Sequence, residues 1–199
     1  MSNLLLENNN LRNVTRTIIK DLVNIYKNES YGEFYLPMDA HDDIDFYNFP
    51  GFEYDIVLEF DLVEDSTIDD FIIDGELDRK NNLIQIVLHY NPENKFNILY
   101  DLIGQLNETL SHELRHIYQK ETGLYNLNVR EKRNPLSYYT QPHEIDAQVF
   151  GFNRLSKLAK KPFDLVVNDW FKRNKKIHRL SDEQVKEVIK KIINHKNKL

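Results

Sequence analysis

Residues 97–119 read NILYDLIGQLNETLSHELRHIYQ, and the spacing of their apolar side chains decides how the chain is organised. At about 100° per residue, with His112 set at zero, Leu99, Leu102, Ile103, Leu106, Leu110, Leu114 and Ile117 fall between about 80° and 200°. That is one apolar stripe, wide enough to face a core, so a long helix is expected here. His116 falls near about 40°, beside His112, and Asp101, Gln105, Glu108 and Thr109 share that polar side, with Glu113 on its border. The face left over by the core therefore carries two histidines one turn apart and a glutamate between them.

In His112-Glu113-Leu114-Arg115-His116 the histidines are four residues apart, a spacing that lets two imidazoles reach one zinc ion. Glu113, next to the first of them, is expected to act as general base on water at that ion. A catalytic zinc takes three protein ligands and keeps a position open, so a third ligand must come from elsewhere. Residues 138–151, YYTQPHEIDAQVFG, offer His143, Glu144 and Asp146. Proline ahead of the acidic pair suits a helix start, and a helix is expected over residues 143–158. On its wheel Glu144 shares a face with Ala147, Gln148, Gly151, Phe152 and Leu155, while Asp146 lies near about 200°. Small residues on that face would let the helix come close enough for Glu144 to reach the metal. Asp146 is expected to face solvent or to act as an outer partner, and His143 is the alternative third ligand. Tyr138, Tyr139 and His143 precede or open this helix, and one of them, Tyr139 by preference, is expected to donate to the oxyanion. Glu108, one turn before His112, is either an outer-shell partner of a ligand histidine or solvated.

These residues resemble a family. His112-Glu113-Leu114-Arg115-His116 followed by Glu144-Ile145-Asp146-Ala147-Gln148-Val149-Phe150-Gly151 is similar to the minimal gluzincin pattern of ImmA/IrrE-type peptidases and to small metallopeptidases encoded by bacteriophages. The resemblance covers residues 107–155. It implies a zincin-like fold and a zinc-dependent metallopeptidase with His112, His116 and Glu144 as ligands and Glu113 as base. Gln148 stands where the family has Asn, Arg115 where Gly is frequent, and the chain has no helix-turn-helix segment for a repressor-cleaving role. The site alone does not name the bond, so hydrolysis of another amide, or a non-catalytic zinc-binding role, are the alternatives. An intact Glu113 speaks against the last, because a structural site needs no base.

The rest of the chain is read as support for one domain over residues 1–199, α+β in class: a small, mainly antiparallel sheet, the long catalytic helix and C-terminal helices. Leu11, Val14, Ile18, Leu22 and Ile25 predict an opening amphipathic helix. Residues 31–52 are expected to be an irregular loop, followed by strands over 54–60, 71–77 and 83–90, the last two as a hairpin. The strand over 83–90 is expected either at an edge, where it would pair with substrate backbone, or in the middle of the sheet. His89 reads as a surface histidine at a strand end. His41, His178 and His195 have no ligand spacing and are assigned no role. Residues 163–173 and 181–195 predict two further helices, the second opened by Ser181.

There are no cysteines among the 199 residues, so thiolate chemistry and disulfides are excluded and any metal must be held by His, Asp or Glu. With neither a signal-like start nor an apolar run of membrane length, the expected location is the cytoplasm, or a host's if the gene is phage-borne. The net charge of −6 hides an asymmetry: residues 39–78 hold 15 Asp/Glu and no Lys or Arg, whereas residues 154–199 hold 14 Lys/Arg against 5 Asp/Glu. The expected partner is a protein or peptide substrate, preferably basic, rather than nucleic acid or membrane. Oligomeric state is not legible.

Overall fold

The structure is a computed structural model that describes residues 8–25, 44–50, 52–62, 72–91, 99–125, 134–174 and 178–199. In chain order these form α1 (Asn8–Ile25), β1 (Ile44–Tyr47), β2 (Asp55–Leu62), β3 (Ile72–Asp78), β4 (Leu83–Tyr90), α2 (Leu99–Thr122), α3 (Pro135–Tyr139), α4 (Pro142–Ala159), α5 (Phe163–Arg173) and α6 (Asp182–Lys196). The class is mixed α+β. Two compact units divide the chain, residues 1–113 and 114–199, and α2 runs through the division.

In the first unit the four strands are ordered β1-β2-β4-β3. β1 pairs antiparallel with β2, β3 antiparallel with β4, and β2 parallel with β4. The sheet is thus mainly antiparallel, as expected, but β4 is interior. It pairs on both sides, with Ile84, Ile86, Leu88 and Tyr90 buried on one face and the residues between them half-covered. The 83–90 strand therefore cannot be the one that pairs with an added peptide, and among the described residues the edges are β1 and β3. The hairpin turn is built by Asp78, whose Oδ1 accepts from the Lys80 and Asn81 amides, with Asn82 at φ 50°.

One sheet face carries Ile56, Leu58, Phe60, Ile73, Leu77 and the buried residues of β4, and the opposite face carries Asp55, Glu59, Asp61, Asp74 and Glu76. From α1, Leu11, Val14, Ile18 and Leu22 are buried as their spacing predicts; the side chain of Ile25 lies outside the described residues. Thr15 Oγ1 approaches Asn107 Oδ1 at 3.3 Å, tying α1 to α2. Two further bonds tie the β3 edge to α2. Gln105 Oε1 accepts from the Ile73 amide, and Thr109 Oγ1 donates to the Ile73 carbonyl, each at 3.3 Å.

β1 corrects the reading of residues 31–52 as irregular, since four of them form an edge strand; residues 31–43 lie outside the described residues. α2 keeps its predicted stripe, with Leu102, Leu106, Leu110, Leu114 and Ile117 buried. The side chains of Leu99 and Asp101 lie outside the described residues.

The second unit packs α4, α5 and α6 around Val149, Phe152, Val166, Val167, Phe171, Leu180, Val188 and Ile192. Burying each such aliphatic or aromatic side chain is worth about 1.5–3 kcal/mol. Pro142 opens α4, and Lys160 closes it in the left-handed region at φ 52°. Ser181 and Gln184 form a reciprocal capping box at the start of α6. His178 is a packing residue here. The Leu180 amide donates to its Nδ1 and its Nε2 donates to the Phe171 carbonyl, which fixes a neutral ring.

Candidate metal centre

His112 and His116 stand one turn apart on α2, and Glu144 sits in the first turn of α4, where the helix dipole favours a carboxylate. One ligand atom from each of these three residues lies within 4.8 Å of the other two. His116 Nε2 and Glu144 Oε1 are 3.5 Å apart. Two ligands bound about 2.1 Å from a tetrahedral zinc would be separated by about 3.4 Å, so this pair already has the spacing such an ion requires. The donor set, two imidazoles and a carboxylate, suits zinc and other borderline divalent metals. This group could hold a metal ion.

Glu113 is 5% exposed and its side chain lies against Gly75 of β3. A Cβ built on Gly75 would stand 2.6 Å from Thr109 Cγ2, 3.0 Å from Glu113 Cγ and 3.1 Å from Glu113 Oε1. Only glycine lets the edge strand come this near to the glutamate. Nothing in the sequence pattern singled out Gly75, because its partner is 38 residues away. Glu108 is 6% exposed, which excludes the solvated position of the two expected for it. Burial pushes its carboxyl up to about 7; Glu113 and Asp74 push the same way, and His112 opposes them.

His143 lies beside the cluster, with Nε2 3.4 Å from Glu144 Oε1 and its ring centroid 5.8 Å from that of His116. The grouped ligand atoms are those of His112, His116 and Glu144, with His143 adjacent. The Tyr139 ring packs edge-on against Tyr138, Phe171 and His178, at centroid separations of 5.3, 6.0 and 6.3 Å, among the core of the second unit.

Asp146 is buried at 3% exposure, so of its two expected roles the solvent-facing one is excluded. Arg115 Nε and Nη2 reach its two oxygens at 2.7 and 3.1 Å, a bidentate pair. The guanidinium also stacks 4.6 Å over the Tyr118 ring. An arginine at this position thus joins α2 to α4, a task glycine could not perform. Gln119 Nε2 donates to Asp146 Oδ2 at 2.8 Å, and His195 Nε2 approaches Oδ1 at 3.4 Å. Burial alone would raise the Asp146 carboxyl, but the bonds from Arg115 and Gln119 outweigh it and hold the group below the usual carboxylate range. Gln119 escaped the sequence reading although it is three residues after His116 on the same face, a spacing that could have exposed it.

His89 belongs to the sheet. Its Nδ1 meets Asp61 at 2.7 Å and its Nε2 meets Asp74 at 3.3 Å, across β2, β4 and β3. The bond to Asp74 chiefly, then that to Asp61, raises its pKa against the opposing effect of burial. His41 lies outside the described residues. Among the described residues no helix is long and apolar enough to cross a membrane.

The chain is similar to uncharacterized protein L180 of Acanthamoeba polyphaga mimivirus, 28% identical over 164 residues, which are 79% of this chain and 38% of that protein. The chain therefore spans well under half the length of this relative. No family model matches the chain, and no solved structure matches it.

Proposed function

We propose that this chain is a zinc-dependent peptidase of zincin-like fold, holding its ion with His112, His116 and Glu144 and using Glu113 as general base. The observation that carries the reading is the convergence of those three ligand atoms within 4.8 Å, with Glu113 adjacent to the first ligand on the same helix. The resemblance of residues 107–155 to ImmA/IrrE-type peptidases supports it independently of the geometry. Zinc, when bound, supplies the Lewis acidity that polarises a scissile carbonyl and makes water a better acid.

The chain's own residues do the rest. Glu113 accepts a proton from the attacking water as the new C–O bond forms, and delivers it to the nitrogen as the C–N bond breaks. Its burial shields that carboxylate from bulk water, and Gly75 sets how near the sheet edge comes to it. The oxyanion donor expected at Tyr139 fits His143 better, since its Nε2 is beside Glu144 whereas the Tyr139 ring is packed on Phe171. A cytoplasmic site of action and a basic protein segment as substrate belong to the same proposal, drawn from the absence of cysteine and from the acidic block at residues 39–78.

The test is metal analysis of protein purified without added zinc, paired with hydrolysis of a peptide library by the parent and Glu113→Gln. About one zinc per chain, with cleavage present in the parent and lost in the variant, is the expected result. A chain without transition metal, or equal cleavage by both proteins, overturns it.

A further inference from the structure

The strongest unexplained feature is Gln119, which is fully buried in α2 and has both ends of its amide engaged. Its Nε2 donates to the His143 carbonyl at 2.9 Å and to Asp146 Oδ2 at 2.8 Å. Both of those atoms only accept, so the orientation of the amide is not ambiguous. Oε1 is the end that meets His116 Nδ1, at 2.9 Å. An amide oxygen cannot donate; the proton between them must belong to Nδ1.

We infer that Gln119 is a positioning residue that writes the tautomer of His116, placing the hydrogen on Nδ1 and leaving the Nε2 lone pair directed at the metal position. The inference rests on the zinc reading above and deepens it. Nε2 is the nitrogen 3.5 Å from Glu144 Oε1, so the lone pair emerges on the side where the ligand atoms meet. Asp146, in turn, keeps Gln119 from flipping, because a reversed amide would set two oxygens against each other. Arg115 holds that carboxylate in place from the same helix as Gln119, and the His143 carbonyl fixes the second N–H. The chain Arg115, Asp146, Gln119, His116 thus passes one orientation from a buried ion pair to a ligand ring. Outer groups that orient a ligand histidine typically govern about 10- to 100-fold in metal affinity.

The experiment measures two things. Long-range proton–nitrogen correlation spectra of the zinc-free parent, taken where His116 is neutral, report which ring nitrogen carries hydrogen. The Nδ1–H form is expected, and a predominant Nε2–H form overturns the inference without recourse to any variant. Zinc affinity, by competition with a chromophoric chelator, is then compared between the parent and Gln119→Met, which keeps the volume and removes both polar ends. The variant is expected to bind zinc about 10- to 100-fold more weakly and to show mixed His116 tautomers. Weakened binding with an unchanged tautomer would make Gln119 a packing residue and overturns the inference, as does unchanged binding. A parent that binds no zinc overturns the reading beneath it as well, so the two failures are told apart.

Discussion

Gly75 of β3 lies against Glu113 of α2 so closely that a single added methyl would stand 3.1 Å from the carboxylate oxygen and 2.6 Å from Thr109 Cγ2. The second contact is with a carbon that cannot rotate away, because Thr109 Oγ1 is bonded to the Ile73 carbonyl. Gly75→Ala is expected to cost about 1–3 kcal/mol of stability, the usual range for overpacking. Urea denaturation measures it. Thr109→Ser removes Cγ2 and keeps the hydroxyl, so the double variant should recover most of the loss; no recovery would mean that the clash lies elsewhere.

Glu113→Gln should keep metal and fold, since no ligand is touched, and lose about 10²- to 10⁴-fold in hydrolysis. His112→Ala should lose metal as well as activity. Paired metal content and cleavage assays separate the two, and metal loss in Glu113→Gln would assign that residue a ligand's role.

Removal of metal should also register as stability. An ion bound only by the folded chain adds about 2.7 kcal/mol when free zinc is 100 times its dissociation constant. Thermal melts of the parent should therefore fall on adding chelator and recover with zinc. Glu144→Ala should melt at the same temperature with or without chelator, and a chelator response equal to the parent's would remove Glu144 from the ligand set.

His89 makes a pH-dependent contribution of known sign. Asp74 and Asp61 raise its folded pKa above the ordinary 6.5, so the charged ring stabilises the folded sheet. That stabilisation is complete below the unfolded pKa of about 6.5 and is lost as pH rises through the raised folded value. The stability difference between the parent and His89→Asn should accordingly be largest in mild acid and shrink towards alkaline pH. A difference that grows with pH would contradict the pairing.

If a basic segment is the substrate, a Lys/Arg-rich peptide should be cleaved faster than a matched acidic one, and the advantage should decline as salt screens charges over about 8–10 Å. The strand carboxylates Asp55, Glu59, Asp61, Asp74 and Glu76 line the face opposite Gly75, which makes the expected advantage modest. Salt-independent rates would leave no role for the acidic block.

The parts of this molecule that were legible in its sequence are those governed by local period. α2 and α4 declared themselves through apolar spacing and a proline start, and α6 through Ser181. β1 did not, because four residues in a stretch rich in Asp, Pro and Gly are too few to establish a period. The position of β4 depends on its parallel pairing with β2, a non-local choice that neither strand encodes by itself. The wheel sets Asp146 away from Glu144 but leaves open whether it meets solvent or an outer partner, because the groups that decide it, Arg115, Gln119 and His195, come from other helices. Gly75 matters through what approaches it, and a glycine leaves no pattern.

The two bonds that α2 makes to Ile73 bear on how the protein behaves in a crowded solution. An outermost strand ordinarily presents a row of amides and carbonyls to any passing chain, which makes it a template for runaway self-association. Gln105 and Thr109 occupy the Ile73 amide and carbonyl with side chains from within the same molecule. Removing both hydroxyl and amide, as in Thr109→Val with Gln105→Leu, would uncover a stretch of β-template, and sedimentation at rising concentration would register it as sticky, growing assemblies.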